Sequence, residues 1–595
     1  MTRRDFLNGV LIGSGTPLLA APPPSDAAWD GPGGVGDYRK SHGNPWKVLS
    51  TAHRIRDREF SADELSAEDT GEVFDLVIVG GGMSGLGAAL HFQHTGRPRG
   101  TCLILDNHPI FGGESKRNEF VVQGQRLMAP QGANEFNVPT DIDSDAYEIF
   151  EQLKIPRRFD YQTVPDDLRG LEFDRTNYGF QHWLHAPSFG HHVGGHWVRD
   201  FWKKHASENL RTWKYANQKY FDGKDYRPWL DRLTYKQYIE HVMGLPSEVT
   251  RYADPILAAA MGLGCDALSA YAAHQIGLPG FAGLSGNADL PVEFADAPET
   301  DWHMFPGGNT GLARYIVKRL VPDSIPGGHA LDAVVNGKLN FRALDRPRNS
   351  FRLRLSSTVV RVDQSEKHAT VTYLKDGRLR RVRANGVVMA CGSWVSKHIV
   401  RDLTAEKRGA FQSFRHSPVL VFNVAVKNWR FLSDLGITSA RWTAGFGFSC
   451  NVRRQMITRR YRPAFSPDSP NVITFYVPLF YPGLPADEQG VKGRHEMLPT
   501  SFAGYEGQIR EQIRNLFGAS AVKAIAGIIL NHWGHAYVNP APGFYFGKGG
   551  EPAPPDVIRE PLGRVTFAHS ELNGHQFWLG AIREGQRAVD QLREA

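Results

Sequence analysis

A glycine-rich turn between an apolar strand and a helix constrains this chain more than any other feature. Residues 74–79 (Phe-Asp-Leu-Val-Ile-Val) predict a buried parallel strand, and the G-x-G-x-x-G run of residues 80–85 follows at once. A second apolar run at 101–105 ends at Asp106. Such glycines let backbone amides approach a pyrophosphate at a helix N-terminus, and the carboxylate accepts hydrogen bonds from a ribose. The pattern predicts a dinucleotide-binding βαβ unit with cofactor contacts at Gly80, Gly82, Gly85 and Asp106.

A second glycine pair and a late helix extend this pattern. Gly112-Gly113 follow the acidic residue, and we expect Arg117 to offset phosphate charge. This pair and the run at 580–589 resemble segments of flavin oxidoreductases of the amine-oxidase and related classes, whose last helix points its N-terminus at the flavin. The resemblance implies FAD rather than a nicotinamide cofactor. Further cofactor contacts are expected at Val360, Gly392, Ser570, Ala581 and Ile582.

Strand-like runs far apart in the sequence indicate a discontinuous cofactor domain. Further strands are predicted at 355–362, 369–374, 386–392 and 564–568, with a closing helix at 580–594. We therefore expect an α/β fold: a Rossmann-like FAD-binding domain assembled from discontinuous segments, with an interleaved α+β substrate domain. The expected FAD-binding segments are 71–135, 331–405 and 561–595, and the expected substrate segments are 136–330 and 406–560.

The N-terminus has the pattern of an export signal. Arg3-Arg4 precede a short apolar run at 9–21 and three prolines, which is typical of a twin-arginine signal peptide over residues 1–24. The apolar run is too short for a stable membrane span. The alternative is a basic start beside a chance apolar run. The first interpretation predicts a periplasmic protein.

Charge and cysteine content exclude several classes of partner. The formal net charge is +7, but the basic residues are scattered among acidic ones, so nucleic-acid binding is not expected. Four cysteines occur without CxxC or CxxCH spacing, so disulfides and covalently attached haem are not expected either. A histidine-rich stretch at 182–196 is interpreted as a loop at the surface or cofactor rim, with no metal site.

Several blocks resemble the spermidine dehydrogenase branch of bacterial flavoproteins. They are residues 39–57, Gly112-Gly113 with 116–120, 531–537 and 567–570. The resemblance implies FAD, oxidation of polyamines and, in some members, a b-type haem. A haem here would be non-covalent with histidine as the axial ligand, and the candidates are His42 and His53 in the leader block 25–70. The alternative is that both are polar loop histidines.

Candidate residues for the amine site are aromatic or acidic. Aromatic faces and carboxylates hold a cationic chain, so the substrate candidates are Glu135, Tyr505 and Glu506. The candidates for catalysis are Trp533, His535 and Tyr537, with His535 assisting deprotonation of the amine.

The expected function is amine oxidation, for example of a polyamine such as spermidine, by hydride transfer to the flavin. Electrons would pass to an external acceptor, through a haem if one is bound. The alternatives are a haem-free FAD oxidoreductase acting on a different substrate and an exported flavin-binding protein without catalysis.

Overall fold

Two seven-stranded sheets organise the protein. The structure is a computed structural model. It describes residues 29, 31, 33–62, 65–95, 100–175, 189–193, 195–198, 219, 225–278, 280–281 and 302–594. The predicted signal peptide and two histidines of the histidine-rich stretch, His182 and His185, lie outside the described residues.

The first sheet combines a parallel core with an antiparallel flank. Its strands are β1 Glu68–Val79, β2 Cys102–Leu105, β10 Phe351–Arg354, β11 Thr358–Gln364, β12 Ala369–Lys375, β13 Arg378–Met389 and β20 Val565–Phe567. The order is β10-β2-β1-β13-β12-β11, and β20 pairs with β13. The N-terminal part of β13 pairs antiparallel with β12, and its last three residues pair parallel with β20.

Because β1, β2, β13 and β20 are parallel in this sheet, their carboxyl ends meet at one edge, where ligands bind in open α/β sheets. This arrangement confirms the predicted α/β fold and the cofactor domain built from distant segments. The strand β10 was not predicted. The run predicted from residue 355 begins as a strand only at Thr358, after Ser356 adopts a φ of 51°.

Two helices pack closely on each other over this sheet. They are α2 Met83–Thr95 and α16 Trp578–Glu594. A Cβ added to Gly87 would lie 2.8 Å from the Ile582 Cα, and one added to Gly585 would lie 2.7 Å from the Ala88 nitrogen. Only glycine permits this approach, so the first and last helices of the cofactor domain form one layer.

A third helix, α7 Thr310–Leu320, belongs to the same hydrophobic core. Its buried Leu312 and Ile316 share that core with Leu86 of α2 and with Ile582 of α16. The predicted domain boundaries assign α7 to the substrate domain, but its packing places it in the layer that covers the first sheet.

The second sheet is mostly antiparallel and contains the segments expected to face the substrate. Its strands are β7 Phe189–Val193, β8 His196–Val198, β14 His416–Val426, β15 Ser439–Trp442, β16 Ser449–Asn451, β18 Asn471–Pro478 and β19 Ile525–Val538. The order is β19-β14-β18-β16-β15-β7-β8. All eleven residues of β14 are buried, which explains its nearly continuous apolar sequence.

Three two-stranded antiparallel sheets accompany the two large ones. They are β3 Arg117–Val122 with β4 Gln125–Pro130, β5 Phe136–Asn137 with β9 Trp302–His303, and β6 Asp160–Tyr161 with β17 Met456–Ile457. Of these only β3–β4 is a hairpin of neighbouring strands. The remaining helices are α1 Trp46–Arg56, α3 Asp145–Leu153, α4 Arg227–Leu230, α5 Ser247–Met261, α6 Ala270–Gln275, α8 Leu331–Asn336, α9 Phe341–Leu344, α10 Ser393–Ile399, α11 Ala405–Ser413, α12 Arg430–Ser433, α13 Ala486–Met497, α14 Phe502–Ala524 and α15 Pro554–Arg559. Among the described residues, no helix combines the length and apolarity needed to cross a membrane.

Candidate functional site

The first glycine loop forms a cradle at the carboxyl edge of the first sheet. Gly80 has a φ of 113°, and a Cβ there would lie 2.6 Å from the Ala390 carbonyl oxygen. A Cβ at Gly85 would overlap the Gly80 carbonyl oxygen. A Cβ at Gly82, by contrast, would be in ordinary van der Waals contact with Gly113, 3.7 Å from its Cα and 4.0 Å from its nitrogen. Gly80 and Gly85 are therefore required by the packing of the protein itself, whereas Gly82, next to the start of α2, is not.

The second glycine pair packs against the first loop, where a Cβ on Gly113 would lie 3.1 Å from the Gly82 Cα. Gly112 and Gly113 have φ values of 113° and 59°, and the Gly112 N–H donates a hydrogen bond to the Gly81 carbonyl oxygen (2.8 Å). Glycine is the residue that adopts such conformations without strain. The two loops are thus fixed against each other, with Gly82 opposite Gly113 beside a helix N-terminus. This geometry is that of a pyrophosphate cradle.

Asp106 is a buried carboxylate held in a defined orientation. Its Oδ2 accepts from the Gly81 N–H (2.7 Å) and its Oδ1 from the His108 N–H (2.7 Å). Burial raises its pKa, but hydrogen bonding and charge from His108, together with the Gly81 N–H, outweigh burial and lower the pKa overall. The carboxylate stays ionised and can accept hydrogen bonds from ribose hydroxyls.

Other predicted cofactor contacts lie around the same edge. Val360 is the extra residue of a β-bulge, since Val359 pairs with Tyr373 and Arg361 pairs with the preceding residue, Thr372. The backbone of Val360 is therefore outside the regular ladder. Gly392 precedes α10, Ser570 follows β20, and Ala581 and Ile582 lie in the first turns of α16.

Lys116 and Glu114 form a buried ionisable pair beside this cradle. The Lys116 ammonium donates to the Ser41 hydroxyl (3.1 Å) and the Gly43 carbonyl (2.9 Å), and it lies 5.1 Å from the centre of a Trp533 ring. Burial lowers the pKa of Lys116 to about 7, against the opposing attraction of Asp106 and Glu114. Burial likewise raises the pKa of Glu114 to about 8, against the attraction of Lys116.

Trp533 connects the second sheet to the cradle. It is buried, and its indole Nε1–H donates to the Gln131 carbonyl oxygen (2.7 Å). Gln131 in turn accepts from the Gly43 N–H (3.0 Å) and donates to the Asn118 amide oxygen (2.9 Å). A Cβ on Gly132 would lie 3.4 Å from the same indole nitrogen. Trp533, predicted as a catalytic residue, is thus held next to the segment that follows β4.

His535 lies in a separate aromatic cluster at the carboxyl ends of β13 and β20. Its ring stacks on Trp394, with centroids 5.0 Å apart and planes at 8°, and lies 5.8 Å from the His416 ring. Burial, followed by the charge of Arg494, lowers the pKa of His535 well below its usual value. The imidazole is therefore neutral at physiological pH, and the same surroundings make it a weaker base than a free histidine.

A buried carboxylate contacts two of the histidines in this cluster. Glu571 accepts from the Ser393 N–H (2.6 Å) and lies 2.7 Å from the His416 Nε2. His569 lies against the same carboxylate, 3.7 Å away, and its ring meets the Trp394 ring edge-on at 5.7 Å. Trp394 is thus surrounded by three histidines, two of which contact one glutamate.

Several predicted residues lie elsewhere in the structure. The Arg117 guanidinium donates to Glu119 (2.8 Å) and to the Val335 carbonyl (2.7 Å). Glu506 is paired with Arg510 on the face of α14 (2.7 Å). Tyr505 is buried in the core behind β14, and burial raises its pKa to about 12.

Glu135 and Tyr537 occupy intermediate positions. The Glu135 backbone carbonyl accepts from the Asn309 side chain (2.9 Å), just before β5. Tyr537 lies next to Ser417 across the β14–β19 ladder, with its side chain against the core that contains Trp533.

The two haem candidates differ in availability. Both ring nitrogens of His42 lie within hydrogen-bonding distance of oxygen atoms, at 2.8 Å from the Asn118 amide oxygen and 3.0 Å from the Arg39 carbonyl. His42 is therefore unsuited to iron ligation in this arrangement. His53 is partly buried on α1, near Arg56 and Asp57. Within the described residues, no group of three or more His, Cys, Asp or Glu side chains could hold a metal ion.

Sequence reasoning missed Lys116, Glu114, Trp394, His416 and Glu571 as members of the site. Lys116 lies in the block 116–120 that resembles the spermidine dehydrogenase branch, but its residue type and position did not lead to a predicted role. The available signal was two ionisable residues directly after a glycine pair, in a stretch that must be buried. For the Trp394 cluster no local signal exists, because its members come from four separate segments.

Comparison with known proteins supports the fold. Residues 78–153 match the family model of the NAD(P)-binding Rossmann-like domain. No curated protein matches the sequence.

Among solved structures, wild-type putrescine oxidase bound to putrescine is 14% identical with a TM-score of 0.54, covering 88% of this chain and 99% of its own. A double mutant from the redesign of cofactor binding in the same enzyme is 14% identical with a TM-score of 0.55, covering 88% and 100%. Cyclohexylamine oxidase from Brevibacterium oxydans IH-35A is 15% identical with a TM-score of 0.55, covering 88% and 99%.

Proposed function

We propose that this chain is an FAD-dependent oxidoreductase that oxidises an amine, and that a polyamine such as spermidine is its substrate. The observation that carries the proposal is the close approach of the two glycine loops at Gly82 and Gly113, at the start of α2 and beside the oriented carboxylate of Asp106. The shared fold with putrescine oxidase and cyclohexylamine oxidase supports an amine as the substrate class.

The residues at the cradle fit FAD. Gly82 and Gly113 would admit the pyrophosphate, Asp106 would hold the ribose, and the bulged backbone of Val360 would be free to bond the adenine. The first turns of α16, with Ala581 and Ile582, would place a helix N-terminus near the flavin ring. Bound FAD would supply the acceptor for a hydride from the amine carbon.

The residues of the protein would bind the amine with its reacting nitrogen unprotonated and with water excluded. An ammonium holds its lone pair in an N–H bond and cannot release electron density as the C–H bond breaks. We assign acceptance of that proton to His535, which is stacked on Trp394 and acts as a weak base because burial lowers its pKa. Trp533 offers an aromatic face to the cationic chain, although Lys116 lies over one of its rings.

The positive charge of Lys116 bears on the choice of substrate. A protonated Lys116 beside Trp533 repels an ammonium group, whereas the neutral form does not. With the Lys116 pKa near 7, amine binding at this tryptophan should strengthen as the pH rises above neutrality. The distal ammonium groups of a polyamine would then have to pair with carboxylates away from the cradle. Glu135 is the candidate carboxylate nearest in sequence to Gly132, the glycine beside Trp533.

Haem b fits the described residues less well than FAD does. His42 is engaged by two oxygen atoms, so only His53 remains of the two candidates. Electrons would leave to an external acceptor, and export by the twin-arginine route to the periplasm is our proposal for location, carried by Arg3-Arg4.

An anaerobic titration tests the proposal. The purified protein should carry FAD, and spermidine, putrescine or simple alkylamines should bleach its absorbance near ~450 nm. The same spectrum reports a haem, whose Soret band should be absent if FAD acts alone. Flavin present but reduced by none of these amines at any pH would leave the alternative, an FAD enzyme acting on another substrate. Absence of flavin would reject the proposal.

A further inference from the structure

A surface cavity of about 440 Å³ lies outside the site described above. Its walls come from the end of α3, the loop before β6, the start of α8 and the residues that follow β17. Four basic side chains line it, namely Lys154, Arg158, His329 and Arg459. The volume is in the range of cavities that bind small organic molecules.

The charges in this cavity are not balanced by its own carboxylates. Among the described residues, no carboxylate lies within ion-pair distance of Lys154, Arg158 or Arg459. Asp332 also lines the cavity, but it already accepts from the Arg460 guanidinium (2.7 Å) and the Thr458 hydroxyl (2.9 Å). Asp160 is the other acidic residue in the lining. The cavity therefore has an excess of positive charge.

Neighbouring cationic side chains add to the positive electrostatic potential of this cavity. After burial, the charges of Lys318, Lys154 and Arg319 lower the pKa of His329. These cations come from α7 and from the end of α3, so two elements direct positive charge at one point of the cavity. An anion bound there would be attracted by all of them.

The remaining wall is apolar and fixed in place. Pro156, Phe159, Leu331 and Ile457 supply carbon surface. The Phe159 ring is held by the interior, since it lies 5.7 Å from the Phe136 ring and 5.1 Å from the His303 ring. A simple inorganic ion would leave this surface in contact with water, whereas an organic anion would cover it.

We propose that this cavity binds an organic anion, a carboxylate or phosphate carried on an apolar body about the size of a benzene ring. The anionic group would lie between Arg158, Arg459 and Lys154, and the apolar body would pack on Phe159 and Ile457. Arginine suits this role because its planar guanidinium pairs with carboxylate or phosphate through two hydrogen bonds.

Isothermal titration calorimetry of the full chain with phenyl phosphate and with benzoate tests this proposal. Benzamide, the neutral counterpart of benzoate, should not bind, and inorganic phosphate should bind at least tenfold more weakly than phenyl phosphate. The double variant Arg158→Glu/Arg459→Glu should weaken phenyl phosphate binding at least tenfold with unchanged flavin content. A weaker effect of added salt in the variant than in the wild type would also support the site.

The matched control is Arg157→Glu. Arg157 neighbours Arg158 in sequence and is equally charged, but it pairs with Glu151 (3.1 Å) and covers the Tyr147 ring. It should leave phenyl phosphate binding within twofold of wild type. Equal binding of benzamide and benzoate, equal loss in the control, or no binding of either organic anion would overturn the proposal. Because binding is measured without amine or turnover, failure here is distinguishable from failure of the proposed enzymatic function.

Discussion

At the cofactor edge, the groups that face each other come from one stretch of 34 residues, Gly80 to Gly113. At the Trp394 cluster, the groups come from α10, β14, β19 and the turn after β20. The first arrangement is set by local backbone conformation, since two glycine loops hydrogen-bond to each other and to Asp106. The second exists only after two sheets have docked. Substitutions should therefore act in different ways in the two regions.

The largest effect is expected at the cradle. Gly82→Val should abolish FAD binding, leaving less than a tenth of the wild-type flavin content, because the side chain would occupy the space of the pyrophosphate. The fold should survive, since a Cβ there makes only ordinary van der Waals contact with Gly113. Flavin absorbance per protein and circular dichroism measure the two outcomes. Gly507→Val, at a glycine with nothing within 4 Å, is the control, and full flavin in the Gly82 variant would contradict the cradle.

The next effect concerns the buried lysine. The Lys116 pKa in the folded protein is about 7, below its unfolded value of 10.5, so the unfolded chain binds more protons between these values. The Lys116 contribution to the free energy of unfolding therefore rises with pH between about 7 and 10.5 and levels off below and above this window. The rise should be on the order of a few kcal/mol, at about 1.4 kcal/mol per pKa unit.

Lys116→Met should lose this rise. Urea denaturation at pH 7.5 and 10, compared between wild type and variant, isolates the contribution of Lys116 from other titrations. The exposed Lys40→Met is the control. If the stabilities of the wild type and the Lys116 variant change with pH in parallel, protonation of Lys116 does not destabilise the folded protein.

A smaller effect is expected at the cluster assembled from distant segments. His535→Gln should slow flavin reduction by the amine at neutral pH by about a hundredfold, the low end for a proton-transfer residue, because the amine would lose its base. The deficit should shrink toward pH 10, where the amine is increasingly neutral on its own. Anaerobic stopped-flow across pH gives both values. His94→Gln on α2 is the control, and a deficit independent of pH would assign His535 a packing role.

The smallest effect is expected at Glu506. Its pairing with Arg510 on α14 is an i,i+4 surface pair, which contributes about 0.3–0.5 kcal/mol to stability. Glu506→Gln should therefore change the unfolding midpoint slightly and leave the KM for spermidine unchanged. A clear rise in KM would restore the sequence-based interpretation of Glu506 as a substrate residue.

The contrast between the cradle and the Trp394 cluster explains which site residues could be predicted from the sequence. Gly80, Gly82, Gly85 and Asp106 could be assigned because each role depends on backbone geometry within one βαβ unit. Glu506 and Tyr505 could not be judged, because a carboxylate or phenol in a helix faces either the site or the solvent according to packing. Whether His42 is free to bind haem could not be judged from the sequence, because its partner Asn118 is 76 residues away.

The contact between α2 and α16 has a consequence for biosynthesis. During translation, α2 leaves the ribosome long before α16, and until then the face of α2 at Gly87 has no covering partner. The nascent chain can form the first glycine turn but lacks the second helix of that layer. A cofactor held by both would become stably bound only after nearly all of the described chain has been made. Retention of the cofactor would then report that α16 has been synthesised and has docked on α2.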